Sequence, residues 1–391
     1  MNPPPRHAPT LAPHQSGTNN GLPNYPAHNE SPRMPRPSLT MLIPLLLLLS
    51  TAVDAEMRTW TSADEQQQVE AEFVTFQAEK AWLHRKDGRT FGIPLDQLSK
   101  SDQAYIREQI RQREKASAQG TANPPDRIPY GRGRTIAHLA NPDIAESSGL
   151  VASRSTPDAF WTHNDSGSGP KLFLVDKTGA DLGTFRLKHQ EAFDWEDIAA
   201  IRRHGKNYLM VGDTGNNGLA STIQMLHVVE EPLPGDPQEV DIVETIHYSY
   251  EDDHRDCEAM AVDPTTETIL MITKQRRAGT LVYALPWPEA TPNKSFPAKK
   301  IGQLDLPTAT AMDISPDGRR AVILTYANAY EYQRAADESW REAFARPPRE
   351  IVAPERIQGE SICYGPDGQT LYLTSEKRPT PLIEIPVQPT E

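Results

Sequence analysis

From about residue 135 onward the chain repeats one order of positions: a polar or acidic residue, a short apolar run, a turn, a second apolar run and more polar residues. Asp194-Trp195-Glu196-Asp197 opens one copy. Asp256-Cys257-Glu258 leads into Ala259-Met260-Ala261-Val262, and Gln358-Gly359-Glu360 leads into Ser361-Ile362-Cys363-Tyr364. Ser147-Ser148-Gly149-Leu150-Val151 and Thr310-Ala311-Met312-Asp313-Ile314 are weaker copies. Aligned on the residue before the apolar run, the copies stand at 148, 196, 258, 310 and 360, which makes the spacings 48, 62, 52 and 50.

A period near fifty residues made only of short strands predicts a mainly β chain whose residues 135–391 form a β-propeller. Each repeat reads as about four strands: 195–201, 207–212, 223–229 and 240–250 in the second, 257–262, 268–273, 280–285 and 300–306 in the third, 311–315, 320–326, 329–333 and 350–357 in the fourth. Inner hairpins turn at Asp263-Pro264, Ser315-Pro316-Asp317-Gly318 and Gly365-Pro366-Asp367-Gly368, where Pro presets φ and Gly accepts a positive one. The fifth repeat offers three strands, 361–364, 370–374 and 382–386, and Thr135–Leu139 stands alone before the first. Pairing that lone segment onto the last blade closes the ring and removes its exposed edge. Five blades result; six is the rival count if the long insertion between 215 and 256 hides another.

Ahead of the repeats, 58–61, 69–74, 81–84 and 90–95 alternate as strands, with a hairpin at Lys86-Asp87-Gly88-Arg89. Alternation puts Val69, Ala71 and Phe73 on one face. Ser99 or Ser101 caps a helix from Asp102 to about Arg113. The strings R-T-W-T-S (58–62), E-A-E-F-V (70–74), K-D-G-R-T (86–90), I-P-L-D-Q-L-S (93–99) and S-D-Q-A-Y-I (101–106) resemble the Sla homology domain type one (SHD1), over roughly fifty residues. The resemblance implies a small SH3-like barrel over 56–114 that contacts a protein or peptide. The cytoskeletal, clathrin-adaptor and ubiquitin contexts of that family do not suit an exported chain. Trp60, Phe73, Trp82 and Phe91 are its core or its contact patch.

Residues 1–33 are rich in Pro, Asn, His and Ser and are expected to be disordered. Met34, Arg36, the run Leu42–Leu49 and Val53-Asp54-Ala55 read as a signal peptide over 34–55, which sends the chain to the periplasm or outside the cell. A signal normally starts a protein, so Met34 is the expected start and 1–33 upstream sequence read in frame; an unusually long n-region is the other reading. The apolar run falls short of the ~20 residues of a membrane-spanning helix, so no span is expected after cleavage. Residues 115–134 read as a linker, with Gly131-Arg132-Gly133-Arg134 a solvated tether.

A formal charge of −13 argues against a nucleic-acid partner. The two cysteines, Cys257 and Cys363, read as small buried side chains; a bridge between them would have to cross the centre of the ring.

Blade geometry brings the start of each first strand and the end of each second strand to the same end of the channel. Glu146, Asp194, Glu196, Asp197, Asp256, Glu258 and Glu360 form the first group. His163, Asn164, Asp165, Asp213-Thr214-Gly215-Asn216-Asn217, Lys274, Asn328 and Glu376 form the second. So many carboxylates at one mouth repel one another unless a cation sits among them. Oxygen ligands with few His and no Cys suit Ca²⁺ or Mg²⁺, with Asp165, Glu196, Asp213, Glu258 and Glu360 as ligands. Glu146, His163, Asn164, Asp165, Asp194, Asp197, Asn217 and Glu376 are candidates to bind a small polar ligand. Taken singly, any of these acids has a blander role, capping a strand end.

E-S-S-G-L-V-A-S (146–153), W-T-H-N-D-S-G (161–167) and D-W-E-D-I-A (194–199) resemble bacterial exported propellers, including some with phytase- or esterase-like activity. Two functions follow. One is an exported binding protein with an acidic, cation-holding mouth. The other is a metal-assisted hydrolase in which Glu258 is the base, Glu196 and His163 assist, and Lys274 or Arg255 holds the anion.

Overall fold

The computed structural model describes residues 57–77, 80–85, 90–119, 127–165, 167–274, 279–289, 291, 294–306 and 308–388. The expectations for 1–33, Met34, the 34–55 signal and the Lys86–Arg89 hairpin lie outside the described residues. The fold is mainly β, with 51 % of it strand and two helices. Neither helix is long and apolar enough to cross a membrane.

The first sheet runs in the order β1 (Arg58–Thr61), β2 (Gln68–Gln77), β3 (Lys80–His84), β4 (Thr90–Pro94), and helix α1 (Lys100–Gln119) follows. Its core is Trp60, Ala71, Phe73, Ala81, Leu83, Leu98 and Ile106, with Phe91 packed at its edge. Trp60 and Phe73 are therefore core. Ser99 caps α1: its Oγ accepts from the Asp102 amide at 3.2 Å, and the Asp102 carboxylate accepts from Thr61 N at 2.8 Å and from Arg58 Nη2 at 2.6 Å. α1 extends to Gln119, into the stretch expected to be linker. The end of that stretch is held as well: Gly131 N donates to Pro386 O at 2.7 Å, and Gly133 packs against Pro354.

β5 (Arg134–His138) precedes the repeats. The first repeat has β6 (Ser147–Ala152), β7 (Ala159–Asn164), β8 (Lys171–Asp176) and β9 (Asp181–Leu187). The second has β10 (Trp195–Arg203), β11 (Lys206–Asp213), β12 (Gln224–Glu230), the two-residue β13 (Glu239–Val240) and β14 (Ile242–Tyr250). The third has β15 (Cys257–Asp263), β16 (Thr268–Thr273), β17 (Thr280–Pro286) and β18 (Ser295–Leu304). The fourth has β19 (Ala309–Ile314), β20 (Arg320–Thr325), β21 (Ala329–Gln333), helix α2 (Trp340–Phe344) and β22 (Arg349–Ile351). The fifth has β23 (Ser361–Tyr364), β24 (Leu371–Thr374) and β25 (Pro381–Ile385).

Within each repeat, successive strands other than β13 pair antiparallel. Residues 215–256 hold β12 and β14, which complete the sheet begun by β10 and β11, and β13, which pairs parallel with β9. A parallel pairing of β14 with β18 joins two of these sheets into one of eight strands, and its end strands β10 and β15 come side by side, so it is nearly closed. β5 pairs antiparallel with β25, the pairing expected of the lone N-terminal segment. The Pro-Asp-Gly turns are present, with Gly318 at φ +68° and Gly368 at φ +66°.

The first strands pack in succession, β6 on β10, β10 on β15, β15 on β19, β19 on β23, and β23 back on β6. All their residues but two at the end of β10 are buried, which explains their short unbroken apolar runs. An apolar cluster fills each gap between neighbouring sheets; Ala259, Leu270, Met312 and Ile323 share one, and Val151, Trp161, Ile198 and Val211 another. At the seam between first and last strands, Ser147 Oγ bonds Thr162 Oγ1 at 2.7 Å and Thr374 Oγ1 at 2.6 Å. Cys257 and Cys363 are buried, free thiols.

Candidate functional site: a carboxylate cluster at one end of the ring

Four of the five first strands share a local irregularity. Register shifts fall between Ser147 and Gly149, Trp195 and Asp197, Cys257 and Ala259, and Ala309 and Ala311. The extra residue of each bulge is Ser148, Glu196, Glu258 or Thr310, the position on which the repeats align. A bulge leaves its extra residue out of the ladder and re-aims its side chain. Ser148 and Thr310 turn their hydroxyls to the next repeat, donating to Glu196 O at 2.8 Å and Gly359 O at 2.9 Å. Glutamate at the same position reaches past the strand end instead.

There, three sets of carboxylates each have ligand atoms within 4.8 Å of one another: Asp165, Glu360 and Glu376; Asp165, Asp194 and Glu196; Glu196, Asp256 and Glu258. Two ligands on opposite sides of a Ca²⁺ ion stand about 5 Å apart, so each set is of a size to close on one ion. An all-carboxylate donor set fits a hard cation and not zinc. Among the described residues, Lys274 is the ammonium at this end, with Nζ 2.7 Å from Glu258 Oε2 and 5.5 Å from the Tyr326 ring centroid. Tyr326 donates from its hydroxyl to Glu360 Oε1 at 3.1 Å.

Burial, reinforced by neighbouring negative charge, pushes Asp194 up to about 6 and Glu360 up to about 9. Glu258 is pushed up to about 7 by burial, with Lys274 pulling it back. Glu196 rises well above the usual carboxylate range for the same reason, with no ammonium against it to match the one on Glu258. Burial disfavours the charge on Lys274, but the Glu258 and Glu360 charges outweigh it and hold the ammonium well above its ordinary value. Glu360 therefore keeps its proton at neutral pH unless a cation replaces it.

Of the residues predicted for this site, Asp165, Asp194, Glu196, Asp256, Glu258, Glu360, Glu376 and Lys274 come together, with the Gly215 backbone beside them. Most of the others are engaged elsewhere. Asp213 spends its carboxylate on Asp194 N at 2.9 Å and Phe193 N at 3.2 Å, fixing the loop ahead of β10, and belongs to none of the three sets. Asn164 clamps the loop before β6: its Oδ1 accepts from Ala145 N and Glu146 N at 3.1 Å. Asp197 turns inward and accepts from Ile198 N, Met260 N and Met312 N at 2.9, 2.8 and 3.1 Å, so it ties three first strands together. His163 is fully buried between strands, and its ring fills the space a Cβ on Gly149 would need. Its Nδ1 pairs with Asn164 O at 2.9 Å, and burial keeps the ring neutral, which removes it from acid–base work at the mouth. Glu146 and Asn217 are exposed and outside the three sets, and Asn328 turns to Glu350. Arg255 is engaged by Tyr283 and Asp252.

Two residues shape the site in ways the sequence did not show. Tyr326 follows Thr325 as Lys274 follows Thr273, so aligning the second-strand ends would have found it. Gly215 lies so close to the cluster that a Cβ there would stand 2.3 Å from both Asp194 Oδ2 and Glu196 Oε1. Only the backbone approach reveals that role.

Among known families, residues 50–114 match SLA1 homology domain 1, SHD1, the stretch that holds the first sheet and most of α1. No curated protein matches the chain. The carboxylate cluster lies wholly outside the matched residues.

Proposed function

We propose that this is an exported binding protein: an SH3-like SHD1 barrel that contacts a protein or peptide, followed by a five-bladed β-propeller whose acidic mouth binds Ca²⁺ or Mg²⁺ and, through it, a small polar ligand. The ring of five first strands, the five apolar clusters between sheets and the β5–β25 pairing support the blade count. The observation that carries the function is the buried carboxylate cluster, seven acids in three overlapping sets with one lysine among the described residues. Repulsion on that scale is relieved by a bound cation.

Thermal unfolding with and without divalent cation tests this. At a hundredfold excess over Kd, a cation that binds only the folded state adds about 2.7 kcal/mol, which for a domain of this size is about 5–10 °C in Tm. Ca²⁺ or Mg²⁺ is expected to raise Tm by that order, and Glu196→Gln to remove most of the rise. An unchanged Tm with every divalent ion tried would discard the cation site.

The hydrolase reading has one observation in its favour: Glu258 lies beside Glu196 and 2.7 Å from Lys274, and a carboxyl pushed up to about 7 by burial is suited to acid–base work. Assays with p-nitrophenyl phosphate and p-nitrophenyl acetate, with and without metal, decide it. Metal-dependent turnover lost in Glu258→Gln would establish a hydrolase, and stabilisation without turnover leaves the binding protein.

A further inference from the structure

We infer that the mouth is laid out for two divalent cations that share Asp165, and that the third carboxylate set already holds the Lys274 ammonium as its cation. This rests on the cation-binding function proposed above and specifies its stoichiometry and ligands.

The three sets form an arc. Asp165 belongs both to the set with Glu360 and Glu376 and to the set with Asp194 and Glu196, whereas the set of Glu196, Asp256 and Glu258 shares no member with the first. A carboxylate common to two adjacent oxygen cages is the usual bridge between paired divalent ions, which then stand about 3.5–4 Å apart. Asp165 sits at the end of β7, where its amide is anchored on Glu146 O at 3.0 Å, so its position between the two cages is set by backbone.

The third set differs in kind. Lys274 Nζ lies 2.7 Å from Glu258 Oε2 and 5.5 Å from the Tyr326 ring centroid, and a metal ion there would have to displace a half-buried ammonium. The protein supplies its own cation at that position.

Glu196 gives an independent sign that something is still to be accommodated beside it. It is 3 % exposed, and among the described residues no amide, hydroxyl or ammonium donates a hydrogen bond to its carboxylate. A buried carboxylate is ordinarily paired with donors or a cation. Gly215 keeps the space against Glu196 Oε1 and Asp194 Oδ2 free of side chain.

Native mass spectrometry of the full chain titrated with Ca²⁺ counts the ions directly. Wild type is expected to hold two. Glu376→Gln, at a half-exposed position, should leave one, and Asp165→Asn should weaken both by at least tenfold. Asp256→Asn should keep two, because its set belongs to Lys274, while Lys274→Met should admit a third. A single ion in wild type, or two ions bound unchanged by Asp165→Asn, would overturn the shared arrangement while leaving a cation site in place. No ion in any variant would overturn the binding function as well. Near-UV circular dichroism of each variant separates lost ligands from lost folding.

Discussion

Glu196, Glu258, Asp194 and Glu360 hold protons that isolated carboxyls would give up, and that has a consequence for stability. Each binds a proton in the ion-free folded chain at a pH where its unfolded counterpart has lost it. The stabilisation is complete below about pH 4 and is lost as pH rises through about 6, 7 and 9, where Asp194, Glu258 and Glu360 ionise. The ion-free protein is expected to lose Tm steadily between pH 5 and about 9, and saturating Ca²⁺ to cancel most of that loss; a rise of ion-free Tm through this window would contradict it. Gly215→Ala puts a methyl group 2.3 Å from two of the carboxylate oxygens. It is expected to weaken Ca²⁺ binding by at least tenfold in a calorimetric titration, and an unchanged affinity would show that Gly215 does not bound the site. Acidic residues at repeat positions 196, 258 and 360 were legible in the sequence. Which acids serve the backbone was not, because Asp197 and Asp213 differ from Glu196 only in which amides lie within reach.

At the scale of elements, the bulge at the start of the first strands separates the two uses of the repeat position: serine or threonine stitches repeats together, and glutamate faces the mouth. One residue further on, Asp197 accepts from amides of β10, β15 and β19, and Asp313 accepts in the same manner from Tyr364 N at 2.8 Å on β23. Removing the Asp197 carboxylate leaves three buried amides without acceptors, at about 1–3 kcal/mol each. Asp197→Ala is expected to cost on the order of 3–5 kcal/mol in denaturant unfolding, and a loss below about 0.5 kcal/mol would show that the tie carries no load. Strand positions were readable because apolar runs and Pro-Asp-Gly turns alternate, and most edges fall within two residues of those expected. Helix α2 was missed although Ser339 and Glu342 spell a capping box, because five residues are too few to show a helical period.

For the whole molecule, closure depends on a strand that precedes every repeat. β5 supplies the fourth strand of the last sheet, and Tyr130 reaches Glu331 with its hydroxyl at 2.6 Å. A chain that starts at Leu139 leaves β25 with an open edge and is expected to elute from size exclusion as oligomer or aggregate; a stable monomer would show that the ring closes without it. The mainly β character and the short repeated first-strand motif were legible in the sequence, whereas the parallel β14–β18 and β9–β13 pairings were not, because nothing in local pattern marks them. Whether the ring gathers its carboxylates for cations is answered most plainly by crystals soaked in Mn²⁺ and measured for anomalous scattering. Peaks are expected within the Asp165–Asp194–Glu196 and Asp165–Glu360–Glu376 sets; an empty mouth, with Mn²⁺ only at carboxylates elsewhere on the surface, would contradict it.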